Sequence, residues 1–415
     1  RSPSRGLGDV YKRQVWSHTL MSPDQLPEVL ARAFSIFSSQ RPGPVHLSIP
    51  IDVITAAADT VDIKPWSLPT RPAANLDALQ RAAVLLQSAK RPVIALGGGS
   101  ADAFTSIQEL VERVDAPVTL THNAKGVIPP GHPLLVASSP SYKPVRDLYH
   151  DADVVLGIGT EFSETDYDFF FDGGFSLGGS LIRVDIDSAQ LSRNARPELA
   201  ICADAELAIT ALLPLLQSTR RNGQERTAAV NDQLKALDSS DYQVFLDTLQ
   251  RALPGAAVMG DSTQPAYFAA AQYHAPQPRR FASAATGYGT LGYALPAAFG
   301  ARLGLPETPV IALIGDGGLQ FTINELSTAV EAELSVAVVV WNNERYEMIA
   351  QNFDAAGMKP IACDIHTPDF LAIAQGYGCR AVQVTSLSEL EAALVASQDF
   401  AGPTVIEARE EDFLQ

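Results

Sequence analysis

Five consecutive apolar residues, 310–314, run without a break into Gly315-Asp316-Gly317-Gly318. An unbroken apolar run of strand length suits a strand buried on both faces, and such strands belong to parallel sheets covered by helices. Beyond the glycines, Ile323, Leu326, Val330 and Leu334 recur at helical spacing, and Thr322 with Glu325 matches a capping box. A second apolar run, 336–341, ends in Asn342-Asn343. Strand, helix, strand predicts a right-handed crossover between parallel neighbours, roughly 4.8 Å apart. Asn343 therefore arrives beside Asp316 at the carboxyl edge of the sheet, where open α/β sheets bind ligands.

The pattern recurs along the chain. Apolar strands are expected at 92–96, 117–120, 154–158 and 181–186, then at 257–259, 310–314, 336–341 and 404–407, with helical stretches between them. The fold class is α/β, built from doubly wound parallel-sheet domains. Residues 1–14 read as a foreign leader, because GDVYKRQ resembles a translated adapter and shows no apolar periodicity. Residues 15–60 carry a helix and the strand 45–51 and read as the end of a domain whose earlier part precedes Val15. A proline-bearing linker leads to a central unit, 70–217, with Gly97-Gly98-Gly99 after its first strand. A polar stretch at 218–225 leads to a third unit, 233–415.

In the cradle, glycines let main-chain amides approach a phosphate closely, and Asp316 adds one hard oxygen ligand. One carboxylate, one amide oxygen and a main-chain carbonyl suit Mg²⁺, which takes its remaining ligands from phosphate and water. Either piece alone is also what an ordinary turn or strand cap looks like. The joint pattern of strand, GDG, the 24 positions 318–341 and NN favours the metal–diphosphate site.

The stretch GDGGLQFTINELSTAVEAELSVAVVVWNN resembles the thiamine-diphosphate motif of the acetolactate synthase and 2-oxo-acid decarboxylase superfamily. The resemblance implies that Asp316, the Asn343 side chain and the Arg345 main-chain oxygen bind Mg²⁺. It implies that Gly315, Gly317, Gly318, Asn343 and Met348 line the diphosphate end. Residues 286–296 resemble the segment beneath the two rings, with Gly289 offering its carbonyl to the aminopyrimidine and Leu291 forming the wedge that bends the cofactor. Ser262 and Thr263, in GDST after a strand, would meet the diphosphate. The likeness covers residues 15–415. The glutamate that activates the cofactor in this family is expected to precede Val15, so no catalytic residue is named and the chain alone is expected to be inactive. The family also implies a homodimer or tetramer whose active site forms between subunits. FAD, which some relatives hold in the middle domain, finds no GxGxxG motif here.

Substrate choice is less constrained. Acetolactate synthases carry a tryptophan four residues after Met348, where this chain has Asn352, and a glycine where it has Glu347. Residues 260–264, 160–167 and 365–370 resemble the 5-guanidino-2-oxopentanoate decarboxylase branch. A guanidinium substrate needs a carboxylate partner, for which Asp261, Glu347 and Asp354 are candidates. His274 and His366 are expected in surface or loop roles. The alternatives are an acetolactate synthase-type carboligase, a non-catalytic cofactor-binding paralogue and, on the α/β pattern alone, a nicotinamide dehydrogenase. A net charge of −17 without a basic patch argues against nucleic acid, and no apolar run spans a membrane. Three scattered cysteines and no signal pattern suggest a cytoplasmic enzyme.

Overall fold

The computed structural model describes residues 14–59, 61–167, 174–237 and 241–414. Of the expected leader, all but Gln14 lies outside the described residues. The N-terminal part is a parallel pair, β1 (Trp16–Thr19) and β2 (Val45–Ser48), bridged by the helix Leu26–Ser39. The expected strand 45–51 stops at Ser48, and a helical turn, Ile51–Ile54, follows.

The central unit contains β3 (Pro92–Leu96), β4 (Val118–Leu120), β5 (Val154–Ile158), β6 (Ser180–Asp185) and β7 (Leu199–Cys202). They form one parallel sheet in the order β4-β3-β5-β6-β7. Alternate residues of β3 enter cores on opposite faces, Ile94 and Leu96 on one, Val93 and Ala95 on the other. A strand with no solvent face has to be apolar throughout, which is what the sequence run supplies. The expected linker 218–225 runs into the helix Gly223–Leu237, whose Val230 and Leu234 pack on the central unit. Arg221 ties it there by donating to the carbonyls of Leu86, Gln87, Ala89 and Val114.

The third unit contains β8 (Ala257–Gly260), β9 (Phe281–Ser283), β10 (Val310–Gly315), β11 (Ala337–Asn342), β12 (Arg380–Val384) and β13 (Thr404–Arg409). Its sheet is also parallel, ordered β12-β13-β11-β10-β8-β9. Both chains of connection start near the middle: from β8 the path steps outward to β9, then returns to β10 on the other side. The β8–β10 pair is thus a topological switch point, and a crevice opens beyond its carboxyl ends. Among the described residues, no helix is long and apolar enough to cross a membrane.

Candidate active site

The loops leaving β8, β10 and β11 enclose a cavity of about 260 Å³. It is lined by Ser262 and Thr263 after β8, by Gly315, Asp316, Gly317 and Gly318 after β10, and by Asn343, Arg345 and Met348 after β11. Gly289 and Leu291 close one side. Every cofactor and metal position expected from the sequence thus borders one space. Gln264, the last residue of the 260–264 motif, also lines it, and sequence reasoning did not single out Tyr267, Tyr346 and Ile349, which complete the wall. Tyr267 lies one turn beyond Thr263 on the helix Gln264–Gln272, and that i, i+4 spacing was the available signal.

The expected capping box does not form. A helix already begins at Asp316 and ends at Thr322, so Thr322 sits at its C-terminal end. Its hydroxyl donates to the Gly292 carbonyl instead (3.1 Å), and Glu325 accepts from Thr328. The apolar pattern itself holds, with Leu326 and Leu334 buried in one core cluster and Ile323 and Val330 packed against it.

Asp316 is the electrostatic centre of the cavity. It is 2% exposed, and its Oδ2 has no hydrogen-bond partner. Burial pushes its carboxyl up to about 6, partly opposed by main-chain amides at Gly317 and Glu344. Asn343 is oriented from two sides: its Oδ1 accepts from the Arg345 amide (3.2 Å) and its Nδ2 donates to Glu410 (3.3 Å). Among the described residues no three His, Cys, Asp or Glu gather as a metal site. The donors here are instead one orphaned carboxylate oxygen, one amide oxygen and main-chain carbonyls, a hard oxygen set that fits Mg²⁺ with a phosphate completing its shell.

Asp261, a candidate guanidinium partner, has another task. It is fully buried and accepts from the amides of Ser262 (2.9 Å), Gly292 (3.2 Å) and Ala294 (2.9 Å). It therefore pins the 287–295 loop to the end of β8 and does not face a ligand. A Cβ on Gly318 would sit 2.7 Å from Asp261 Oδ1, so only glycine lets the two strand ends close together. Gly289 adopts φ +63°, a conformation that suits glycine, and its carbonyl accepts from Ser262 Oγ (3.1 Å). Asp354 is exposed and lies outside the cavity lining. Glu347 does border the cavity, and its charge is balanced by Arg345 (3.3 Å) and by a hydrogen bond from Gln351.

His366 is exposed, and His274 lies at the seam with the central unit beside Lys125; neither borders the cavity. A larger cavity, about 440 Å³, opens at the β3–β5 switch point of the central sheet, against Gly97, Gly98 and Gly99. Its charged lining is Arg41, Glu161, Asp166 and Asp185, and Arg41 is hydrogen-bonded to Glu161. Three carboxylates against one guanidinium oppose an anionic dinucleotide such as FAD. The buried, unpartnered carboxylate oxygen of Asp316 lies in the smaller cavity.

Both large units match a known protein family. Residues 261–408 match the thiamine pyrophosphate enzyme C-terminal TPP binding domain, and residues 79–212 match the thiamine pyrophosphate enzyme central domain. The protein named "Probable 2-ketoarginine decarboxylase AruI" from Pseudomonas aeruginosa is 37% identical over 408 residues, 95% of this chain and 72% of that protein. The acetolactate synthase isozyme 1 large subunit of Escherichia coli is 29% identical over 399 residues, 93% of this chain and 70% of that protein. Among solved structures, benzoylformate decarboxylase from Polynucleobacter necessarius superposes with a TM-score of 0.81 at 25% identity, over 96% of this chain and 76% of that one. With its two large parallel sheets, its switch-point cavity and these relatives, the chain belongs to the thiamine pyrophosphate enzymes, in the branch that holds 2-oxo-acid decarboxylases and acetolactate synthases.

Proposed function

We propose that the cavity beyond β8, β10 and β11 holds Mg²⁺-thiamine diphosphate and that the chain acts in decarboxylating 5-guanidino-2-oxopentanoate. The observation that carries the cofactor assignment is the buried, unpartnered Asp316 Oδ2 on the same wall as Asn343 and the Gly317 and Gly318 amides. Asp316, Asn343 and the Arg345 carbonyl would hold the metal. The amides of Gly317 and Gly318 and the N-terminal end of the helix Gln264–Gln272 would meet the diphosphate. Leu291, half-buried at the cavity wall, would support the bend between the rings, and the Gly289 carbonyl would accept from the aminopyrimidine. When bound, the cofactor supplies the carbanion chemistry; the protein supplies position and charge.

The guanidino substrate is favoured by the 37% identity to the 2-ketoarginine decarboxylase and by Glu347. Glu347 pairs with the Arg345 guanidinium at the cavity wall and would exchange it for that of the substrate. Calorimetric titration should show thiamine diphosphate binding that requires Mg²⁺; absence of binding with Mg²⁺ present would remove the cofactor assignment. Supplied with the segment that carries the activating glutamate, the protein should release carbon dioxide faster from 5-guanidino-2-oxopentanoate than from pyruvate. Glu347→Gln should raise KM for the guanidino acid about tenfold, the worth of one charge-assisted hydrogen bond, and leave pyruvate unaffected. Acetolactate as the main product would support the carboligase reading instead.

The chain is also read as a homo-oligomer that meets its partner copy at the mouth of this cavity. Tyr288, Phe321 and Ile349 are 72%, 60% and 51% exposed in segments that border it, an apolar rim of the kind that marks an interface. Sedimentation at micromolar concentration tests this; a monomer with cofactor and Mg²⁺ present would contradict it.

A further inference from the structure

An amide side chain that serves a metal has two faces of nearly equal shape and opposite chemistry. Its oxygen binds a cation, and its NH₂ repels one. Something must therefore decide which way Asn343 turns. In strand register, Asn342 of β11 stands opposite Arg409 of β13. The next residues, Asn343 and Glu410, emerge side by side from the carboxyl edge. Glu410 Oε2 lies 3.3 Å from Asn343 Nδ2 and 2.8 Å from Trp341 Nε1. An ionised carboxylate only accepts hydrogen bonds, so it selects the NH₂ end of the amide. The carboxylate is itself held. Trp341 is fully buried, and its indole N–H only donates. Trp341 is packed among Tyr242, Phe245 and Phe413. Phe413 closes the helical turn Glu410–Phe413 that Glu410 begins.

Resting on the reading of the cradle as a Mg²⁺-thiamine diphosphate site, we propose that Glu410 is a positioning residue for the metal. It turns the Asn343 amide so that Oδ1 faces the cavity, assisted by the Arg345 amide on the other side. Groups that orient a metal ligand from behind are worth about 10–100-fold in metal affinity.

The test uses Mn²⁺ with thiamine diphosphate on the whole chain, with free Mn²⁺ read by electron paramagnetic resonance. Glu410→Ala should weaken Mn²⁺ binding about 10–100-fold. Glu410→Gln should bind within about threefold of the unaltered chain, because the Trp341 N–H selects the oxygen of the new amide and so preserves the acceptor. The decisive arm is the Asn343→Asp background. A carboxylate there presents oxygen whichever way it turns, and it stands beside the like charge of Glu410. Adding Glu410→Ala should then leave Mn²⁺ affinity unchanged or tighten it. Equal weakening in both backgrounds would mean that Glu410 only satisfies Trp341, and it would overturn the inference. So would unchanged affinity of Glu410→Ala with Asn343 in place. If truncation unfolds the chain, Glu410→Met removes the acceptor at similar volume and is judged by the same outcomes. Failure of the unaltered chain to bind Mn²⁺ with thiamine diphosphate would overturn the cofactor reading, and this inference with it.

Discussion

A single carboxylate oxygen sets the balance between stability and binding in this chain. Asp316 is buried, and the orphaned Oδ2 costs the metal-free protein a desolvation penalty that a bound cation would offset. Asp316→Asn removes most of that penalty and exchanges the metal's anionic ligand for a neutral amide oxygen. The metal-free variant should therefore melt a few degrees higher, as expected for roughly 1–2 kcal/mol in a domain of this size. Its Mg²⁺-dependent gain in thiamine diphosphate affinity should fall about 10–100-fold, since losing the ligand's charge costs no less than losing a group that supports a ligand. Scanning calorimetry with and without Mg²⁺ and cofactor reads both effects; a variant that melts lower without metal would contradict the argument. Asp316, Asn343, Gly317 and Gly318 were legible in the sequence because strand, crossover and strand fix where chain segments arrive. Asp261 and Glu410 were not. Their partners are main-chain amides and a residue 67 positions away, and no local spacing encodes such contacts.

At the scale of elements, the switch point between β8 and β10 has to be closed from below. Asp261 does this by gathering amides from Ser262, Gly292 and Ala294, which fixes the loop carrying Gly289 and Leu291. Asp261→Ala leaves those buried donors without a partner. At about 1–3 kcal/mol for a buried group left unsatisfied, it should cost roughly 2–4 kcal/mol in stability, read as a lower denaturant midpoint. Thiamine diphosphate affinity should fall with it, because Leu291 is no longer held in place. An unchanged midpoint would mean that the loop is held by other contacts. The strands inside the sheets, such as β3, β5, β10 and β11, could be read from their apolar runs alone. Those not anticipated were β1, β7, β9 and β12, and each stands at the end of its strand order or in the two-stranded pair. An outer strand has a solvated edge and need not be continuously apolar: β12 reads RAVQV and only its last residue is buried. The Thr322–Glu325 capping pattern misled because a helix already begins at Asp316 and ends at Thr322.

Across the whole molecule, the central and third units meet at a seam that holds Lys125 and His274. Lys125 of the central unit donates to the carbonyls of Ala271 (3.3 Å) and Tyr273 (2.8 Å), at the C-terminal end of the helix Gln264–Gln272. An ammonium is well placed there, at the negative end of the helix dipole, although burial brings the Lys125 pKa down to about 7; the other end of that helix borders the 260 Å³ cavity. His274 shares the seam. Burial first, and then the Lys125 charge, push its imidazole down to about 4. The sign of the consequence follows from linkage. Unfolded, this histidine takes up its proton near its ordinary value of about 6.5, whereas the folded chain resists until about 4. Between these values the unfolded state binds more protons, so stability is full above pH 6.5 and drains away as pH falls toward 4. The shift sets an upper bound of about 3 kcal/mol. His274→Asn keeps a polar side chain without the titration, so the variant should lose less stability than the unaltered chain over this window. Urea midpoints at pH 7 and pH 4.5, compared between the two proteins, measure the difference. Equal slopes with pH would place the acid sensitivity in other groups, among them the buried His122, whose imidazole burial also pushes down, and not at His274. If the slopes differ, loosening of the seam should also weaken thiamine diphosphate binding at pH 5 more than at pH 7, because the helix that Lys125 holds at one end meets the cofactor cavity at the other.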